Sequence, residues 1–255
     1  MVLSKRHADI LRILKDEGTI TVSSLADRLG VSLETIRRDV KPLSQDGAIL
    51  KMHGAIGLPD LTGEAPFERR MRENADAKRR IAKVVAASIR DGESIMLDTG
   101  TTASYLAREL LAHRRLTVVT NCSDIARTLS TVNGNKVFMA GGELRSDSGA
   151  AFGISAIEFV KHFSVTHAVI TTGAVDARFG ITDFDLDEAE FARVVLDRGQ
   201  RKIVITDHTK FGRQGLVLVC GYDGFSELVT DARPPQDIAD AMEAAGSKLV
   251  IAGAG

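Results

Sequence analysis

The 255-residue sequence predicts a two-part α/β protein, with a small helical head and β wing followed by a larger, mostly parallel α/β domain. Three observations carry this reading. Residues 21–46 (TVSSLADRLGVSLETIRRDVKPLSQD) show two short helices joined by a tight turn. Between residues 94 and 220, short β-rich apolar runs alternate with helical stretches. Residues 57–66 (GLPDLTGEAP) lack apolar periodicity and hold two of the five prolines, which marks a linker. The implied domains are a winged helix-turn-helix over 1–58 and an α/β domain over 64–255.

In the head, Thr21 is placed to cap a helix whose Val22, Leu25, Ala26 and Leu29 recur at helical spacing, and Gly30 supplies a left-handed stop. Ser32 caps the second helix. Its buried stripe is Ile36, Val40 and Leu43, which leaves Ser32, Thr35, Arg37, Arg38 and Lys41 on or near the free surface. The start of such a helix enters the DNA major groove, where arginine bridges guanine O6 and N7 while hydroxyls and other cations hold phosphates. An arginine pair on a short helix is, taken alone, more often a solvated face, so its surroundings decide. Upstream, a helix from about Lys5 to Asp16 with Ile10, Leu11 and Leu14 on one side completes a three-helix core. Downstream, Gly47 ends the reading helix, and Ala48 to Ile56 alternates as a two-stranded wing that adds Lys51 and His53 to the DNA-contact candidates. Pro42 has no N–H and disfavours helix before it, which predicts a kink or shortening near Lys41.

Residues 4–58, and above all Val31 to Asp39 (VSLETIRRD), resemble the N-terminal winged helix of the DeoR family of bacterial transcriptional regulators. The wing departs from the family's usual wording by reading His53-Gly54-Ala55-Ile56. The resemblance implies a repressor that binds double-stranded operator DNA and answers to a small phosphorylated metabolite.

With 44% hydrophobic and 26% charged residues, the composition is that of a soluble globular protein. The apolar runs are of strand length, too short to span a membrane, and there is no signal core, so a cytoplasmic location is expected. Cys122 and Cys220 are too few and too isolated for a disulfide framework or a metal site, and neither metal nor cofactor is expected. Residues 1–58 hold nine Lys/Arg against seven Asp/Glu. So small a surplus binds DNA weakly, which predicts a homodimer or homotetramer that pairs its heads.

Beyond the linker, Asp76 to Arg90 is an amphipathic helix whose Lys78, Arg79, Arg80 and Lys83 read as a solvated face, with Lys78 placed to reach an anion. SIMLD, LTVVT, KVFMA, HAVIT, KIVIT and LVLVC then read as strands of a parallel sheet buried on both faces. Helices are expected over Thr102–Leu111, Ser123–Leu129, Ile154–Phe163 and Leu186–Arg198. Ligands of such sheets bind beyond the carboxyl ends of the strands, and here those ends are polar. Asp98-Thr99-Gly100-Thr101-Thr102 combines a glycine, hydroxyls and a helix start, a combination suited to phosphate. Lys210 offers a point charge. Asp98, Asn121, Glu188 and Asp207 suit ligand hydroxyls, and Gly141, Gly142 and Asp176 lie in neighbouring strand-end loops.

IMLDTGTT, LTVVTN, MAGGELRS, GAVDARFG and TDHTKFG are similar to the DeoR-family effector domain over about residues 64–252, which implies a fold shared with ribose-5-phosphate isomerase and the CoA transferases. AGGELRS, FDLDEAE, DHTKFGR and TDARPP are most similar to the family branch tied to glycerol 3-phosphate, which makes that compound the implied effector. The competing reading is a sugar-phosphate isomerase or deaminase carrying a DNA-binding head. Such an enzyme needs a positioned general base and groups that stabilise an enediolate. Asp176 sits where the isomerases place an acidic loop, but no glycine-rich lysine loop accompanies it. The acids Asp183, Asp185, Asp187 and Glu188 fit helix capping better than a metal site. No catalytic residue is assigned, and the sensor reading is preferred.

Overall fold

The computed structural model describes residues 4–17, 19–46, 48–52, 55–57 and 64–253. It divides into two compact units, residues 1–69 and 70–255.

The first unit runs α1 (Lys5–Glu17), β1 (Thr19–Thr21), α2 (Val22–Leu29), α3 (Leu33–Gln45), β2 (Leu50–Met52) and β3 (Ala55–Gly57). Its core is aliphatic, with Ile10, Leu14, Leu25, Ile36, Leu43 and Ile49 buried together. The caps form as their residue types predict: Thr21 Oγ1 accepts the Ser24 N–H at 3.1 Å, Gly30 takes φ 63°, and Ser32 Oγ accepts the Thr35 N–H at 3.2 Å.

Two expectations are corrected here. The wing sheet has three strands, in the order β1-β3-β2, because Thr19-Ile20-Thr21 pairs antiparallel with β3 and sends Ile20 into the core. And α3 is not shortened at Pro42 but continues to Gln45. The ring removes the N–H that would reach the Arg38 carbonyl, but Arg38 is exposed, so water can serve that oxygen. Val40 and Leu43, buried on either side, and an Asp46 N–H bond to the Pro42 carbonyl at 2.9 Å hold the last turn. Gly47 and His53 lie outside the described residues.

The second unit follows α4 (Phe67–Arg72), within which the division falls. It comprises α5 (Ala75–Ala87), β4 (Ser94–Leu97), α6 (Thr101–Glu109), β5 (Thr117–Thr120), α7 (Ser123–Ser130), β6 (Lys136–Met139), α8 (Ile154–Lys161), β7 (Val165–Ile170), β8 (Ala174–Asp176), β9 (Gly180–Asp183), α9 (Leu186–Arg198), β10 (Gly199–Ile205), β11 (Val217–Cys220), β12 (Glu227–Thr230), α10 (Gln236–Ala245) and β13 (Lys248–Ile251). Seven strands form a parallel sheet in the order β13-β12-β10-β7-β4-β5-β6. Alternation along each strand feeds two cores. Ile95, Leu97, Val118 and Ile203 meet α5, α6 and α7 on one face, whereas Met96, Val119, Ala168 and Val204 meet α8, α9 and α10 on the other.

LVLVC departs from the expectation. It becomes β11 of a separate antiparallel sheet ordered β11-β9-β8, with Leu216 and Leu218 exposed, so its apolarity does not come from burial between two helix layers. Its expected place in the main sheet is taken by β12 and β13. β12 opens on Glu227, a buried acid ion-paired to Arg201, which breaks the apolar pattern that identifies the other strands.

One ion pair ties the head together from within. Asp39, on the underside of α3, is buried and accepts a hydrogen bond from the Arg6 guanidinium of α1, which holds its pKa below the ordinary carboxylate value. Because the folded-state pKa is depressed, the stabilisation is present above the unfolded value near 3.8 and is lost as pH falls through the folded one. Asp39→Asn is therefore expected to lower the melting temperature at pH 7, with the gap to the parent closing below about pH 4. Ser32→Ala should cost ~1 kcal/mol at either pH, since it removes a neutral cap. Thermal unfolding followed by circular dichroism at the two pH values checks both, and a gap for Asp39→Asn that is independent of pH would contradict the ion-pair account.

Candidate functional site

On α3 the surface divides as the helical period requires. Ser32, Arg37, Arg38 and Lys41 are exposed, and Thr35 is half-buried, with its hydroxyl 2.9 Å from that of Ser32. Arg37 stands 3.9 Å from Glu34, an exposed pair one turn back that holds it only weakly. Leu33, 46% exposed at the first helical position, went unremarked as a surface residue in the sequence; an apolar side chain there suits a thymine methyl. Lys51 lies on β2.

In the second unit the order of the seven-stranded sheet puts β5 and β6 on one side of β4 and β7, β10, β12 and β13 on the other. The order reverses between β4 and β7, and in open α/β sheets a crevice forms beyond the carboxyl ends at such a point. Gly100 lies just past the end of β4, at that reversal. Its φ of 145° is one that side chains rarely adopt, and a Cβ there would come within 2.3 Å of Thr171 Oγ1, which donates to the Thr99 carbonyl at 2.9 Å. The backbone thus runs against the end of β7 and enters α6 with no side-chain cap, leaving the first N–H groups of that helix to an outside acceptor. Thr101 and Thr102 are buried in this first turn.

Strand register brings the neighbouring residues alongside. Leu97 pairs with Thr120, so Asp98 and Asn121 leave adjacent strands together. Asn121 is fully buried; its amide donates to the Ala151 carbonyl at 2.9 Å, and its Oδ1 has no partner. On the β10 side, Asp207 caps a short turn over His208–Lys210 and accepts from Thr209 N at 3.1 Å and from Asn74 Nδ2 at 3.3 Å. Its carboxylate thus organises the loop that presents Lys210.

Acidic groups crowd the floor. Asp98 is buried and accepts the Thr99 N–H at 2.6 Å; burial, with the Glu188 and Asp183 charges, pushes its pKa well up. Glu188 is pushed up to about 7, by burial first and then by Asp183. Asp183 accepts the Gly173 and Phe184 N–H groups at 3.2 and 2.7 Å. Asp185 caps α9 through the Glu188 N–H, the role expected of this acidic run. Among the described residues, no group of three or more His, Cys, Asp or Glu side chains is placed to hold a metal ion.

Arg145 was not singled out from the sequence. The loop after β6 folds back so that Ala151 N–H reaches the Asn121 carbonyl, and this carries the Arg145 guanidinium 4.4 Å over the Phe152 ring and into ion pairs with Asp185, Asp187 and Glu188 at 2.8–3.1 Å. A cavity of about 560 Å³ opens beside it, lined by Glu143, Phe152, Gly153 and Asp187 among others. Only knowledge of the fold could have paired a loop arginine with a helix start some forty residues later.

Four expected site residues stand apart. Asp176 turns the β8–β9 hairpin by accepting the Arg178 and Phe179 N–H groups, each at 2.9 Å, and lies at the end of the hairpin remote from Gly173; the acid at the crevice end is Asp183. Gly141 and Gly142 are exposed beyond the edge strand β6. Lys78, read as part of a solvated face, is buried instead. Its ammonium donates to the Arg70 carbonyl and, at 2.9 Å, to the Glu73 carbonyl, and burial lowers its pKa.

A helix-turn-helix unit joined to an α/β unit with a crevice at its strand reversal defines a DNA-binding regulator with a separate sensing part. The chain belongs to the DeoR family: a DeoR-like helix-turn-helix domain matches residues 6–62 and a DeoR C-terminal sensor domain matches residues 73–232. It is 31% identical over 238 residues to the glycerol-3-phosphate regulon repressor of Escherichia coli K12, covering 93% of this chain and 94% of that one. It is 30% identical to the transcriptional repressor AccR of Agrobacterium fabrum, covering 97% and 96%. Ribose-5-phosphate isomerase A from Methanocaldococcus jannaschii aligns with a TM-score of 0.41 and 17% identity over 54% of this chain and 55% of that one. The protein is thus a DeoR-family transcriptional repressor that binds operator DNA, and not an enzyme. Among the described residues, no helix is long and apolar enough to cross a membrane.

The carboxyl crowding has a measurable consequence. Glu188 has a folded-state pKa near 7, above its unfolded value of 4.5, so its contribution is favourable at low pH and is lost as pH rises through 7. Glu188→Gln keeps an acceptor for Arg145 and removes the charge. It should stabilise the protein by about 1–3 kcal/mol at pH 8 and by much less at pH 5. Melting curves giving equal gains at both pH values would remove the account of Glu188.

Proposed function

We propose that the protein represses a carbohydrate or polyol catabolic operon and leaves its operator when a small phosphorylated polyol or sugar, glycerol 3-phosphate first among them, occupies the crevice between β4 and β7. On this reading residues 1–58 read the operator and residues 64–255 sense the effector. The observation that carries it is the uncapped start of α6 behind Gly100, a set of free N–H groups at the positive end of a helix, where the sheet order reverses. Lys210 adds a full charge to the phosphate, and Asp98, Asn121, Glu188 and Asp207 meet hydroxyls. The relatives named for the glycerol-3-phosphate regulon support that choice of effector.

The effector must favour the arrangement that does not bind DNA, and a coupling of ~1–3 kcal/mol changes operator affinity ~5–150-fold. Lys210→Ala and Thr101→Ala are expected to leave DNA binding intact and to make it insensitive to effector. Titration of the operator complex with glycerol 3-phosphate, glycerol and pentose and hexose phosphates tests this. Release by glycerol as readily as by its phosphate would overturn the phosphate site, and release only by a sugar phosphate would replace the effector.

Operator reading falls to Ser32, Thr35, Arg37, Arg38, Lys41, Lys51 and His53. Replacing a base-reading arginine should cost ~1–3 kcal/mol and relax specificity, while replacing a phosphate-binding one should weaken all sequences alike. Operator affinity unchanged by Arg37→Ala with Arg38→Ala would refute the assignment. One head with so small a positive surplus reads few base pairs, so the functional unit is a homodimer or homotetramer. Light scattering that finds only monomer while tight operator binding persists would contradict it.

A further inference from the structure

The stretch from the last turn of α4 through Asn74 is held in an unusual way. Three of its backbone carbonyls are taken by side chains of the sensing unit: Arg70 and Glu73 by the Lys78 ammonium, and Met71 by the Tyr105 hydroxyl at 2.9 Å. Asn74, the next residue, takes φ 53° and sends its amide to Asp207 at 3.3 Å and Thr209 Oγ1 at 3.5 Å. Lys78 and Tyr105 are both over nine-tenths buried. Tyr105 stands on α6, one turn beyond Thr101, and Asp207 and Thr209 belong to the loop that presents Lys210.

Helix ends need acceptors and donors supplied from outside, but solvent serves most of them. Burying an ammonium for the purpose is costly unless the geometry matters, because a charge removed from water must recover its hydration from fixed partners. The four residues that hold this segment come from the two elements assigned above to the effector, or lie beside them. Lys78 is within electrostatic reach of both Asp207 and Lys210.

From this we infer that Lys78 and Tyr105 are positioning residues that couple the effector crevice to the DNA-binding unit. They fix residues 70–74, the stretch through which the chain leaves α4 and the linker before it. A shift of the α6 start moves Tyr105, the donor to Met71, and a shift of the 207–210 loop moves the acceptors of the Asn74 amide, and the segment moves with them. The inference rests on the effector reading for the trigger, and on the hydrogen bonds alone for the lever.

The test compares the full-length parent with Tyr105→Phe, which removes one hydroxyl, and Lys78→Met, which keeps length and burial but removes the donor. Operator affinity is measured with and without saturating glycerol 3-phosphate, binding of glycerol 3-phosphate by calorimetry, and hydrogen exchange across residues 67–75. Both variants should bind glycerol 3-phosphate within about threefold of the parent while the ratio of operator affinities with and without it shrinks at least about fivefold, with faster exchange at 70–74. An unchanged ratio in both variants overturns the inference. If glycerol 3-phosphate does not alter the parent's operator affinity, the effector reading fails, and the lever is judged on ligand-free protein. Exchange at 70–74 must then rise and operator affinity must change at least about threefold in both variants, and failure of either overturns it. A single variant that melts far below the parent is read through the other.

Discussion

The constraint on which the second unit depends is the close approach of two backbones where β4 and β7 lie side by side. Gly100 leaves no room for a side chain against Thr171, and the Thr171 hydroxyl ties that strand end to the Thr99 carbonyl. Everything polar at the crevice is placed from there. The start of α6 points outward because the chain turns at Gly100, Asn121 stands beside Asp98 because their strands are in register, and Asp207 arrives two strands away because β10 pairs with β7. A bulkier residue at position 100 would separate the two strands or rotate the helix start, and either would disperse the N–H groups that now converge.

Much of this was legible in the residues. The caps Thr21 and Ser32, the stop at Gly30 and the stripe Ile36, Val40, Leu43 are local signals that tertiary structure had no reason to override. Four sandwiched strands announced themselves as continuous apolar runs, whereas KVFMA, read as buried on both faces, is the edge strand β6 with Phe138 exposed. What escaped depends on contacts distant in sequence. β12 hides behind Glu227, whose burial makes sense only beside Arg201 of another strand. LVLVC looks like a core strand but is an edge, because composition cannot tell a run covered on two faces from one covered on one. Pro42 does not end the helix, because a missing N–H matters little where the orphaned carbonyl faces solvent and the flanking side chains are buried.

The candidate site is legible as chemistry before it is legible as geometry. The strand-end residues have suitable types, and register brings Asp98, Asn121, Asp207 and Lys210 to one edge of the sheet. Lys78 and Asp176 show the limit of that approach. A lysine at a helix start and an acid in a turn have the right types, yet backbone groups nearby claim both, the lysine as donor and the acid as acceptor. Arg145 shows the converse, since its importance comes from a loop that folds back over β5 and could not be inferred from spacing.

The charges around the crevice are arranged with opposite signs on its two sides. Toward α9 lie Asp98, Asp183 and Glu188, mutually repelling, with Arg145 neutralising part of the group from outside. Toward β10 lie Lys210 and Asp207, both within electrostatic reach of the buried Lys78. A ligand with charge at one end only would be oriented by such a field, its anionic end drawn to Lys210 and the helix start and its neutral end left to the carboxyls. A ligand anionic at both ends would meet repulsion at Asp98 and Glu188 in whichever direction it entered. The raised pKa of Glu188 softens that repulsion near neutral pH, because a protonated carboxyl can donate to a hydroxyl as well as accept from one. On the proposed reading, the same crowding would favour a polyol phosphate over a diacid of similar size.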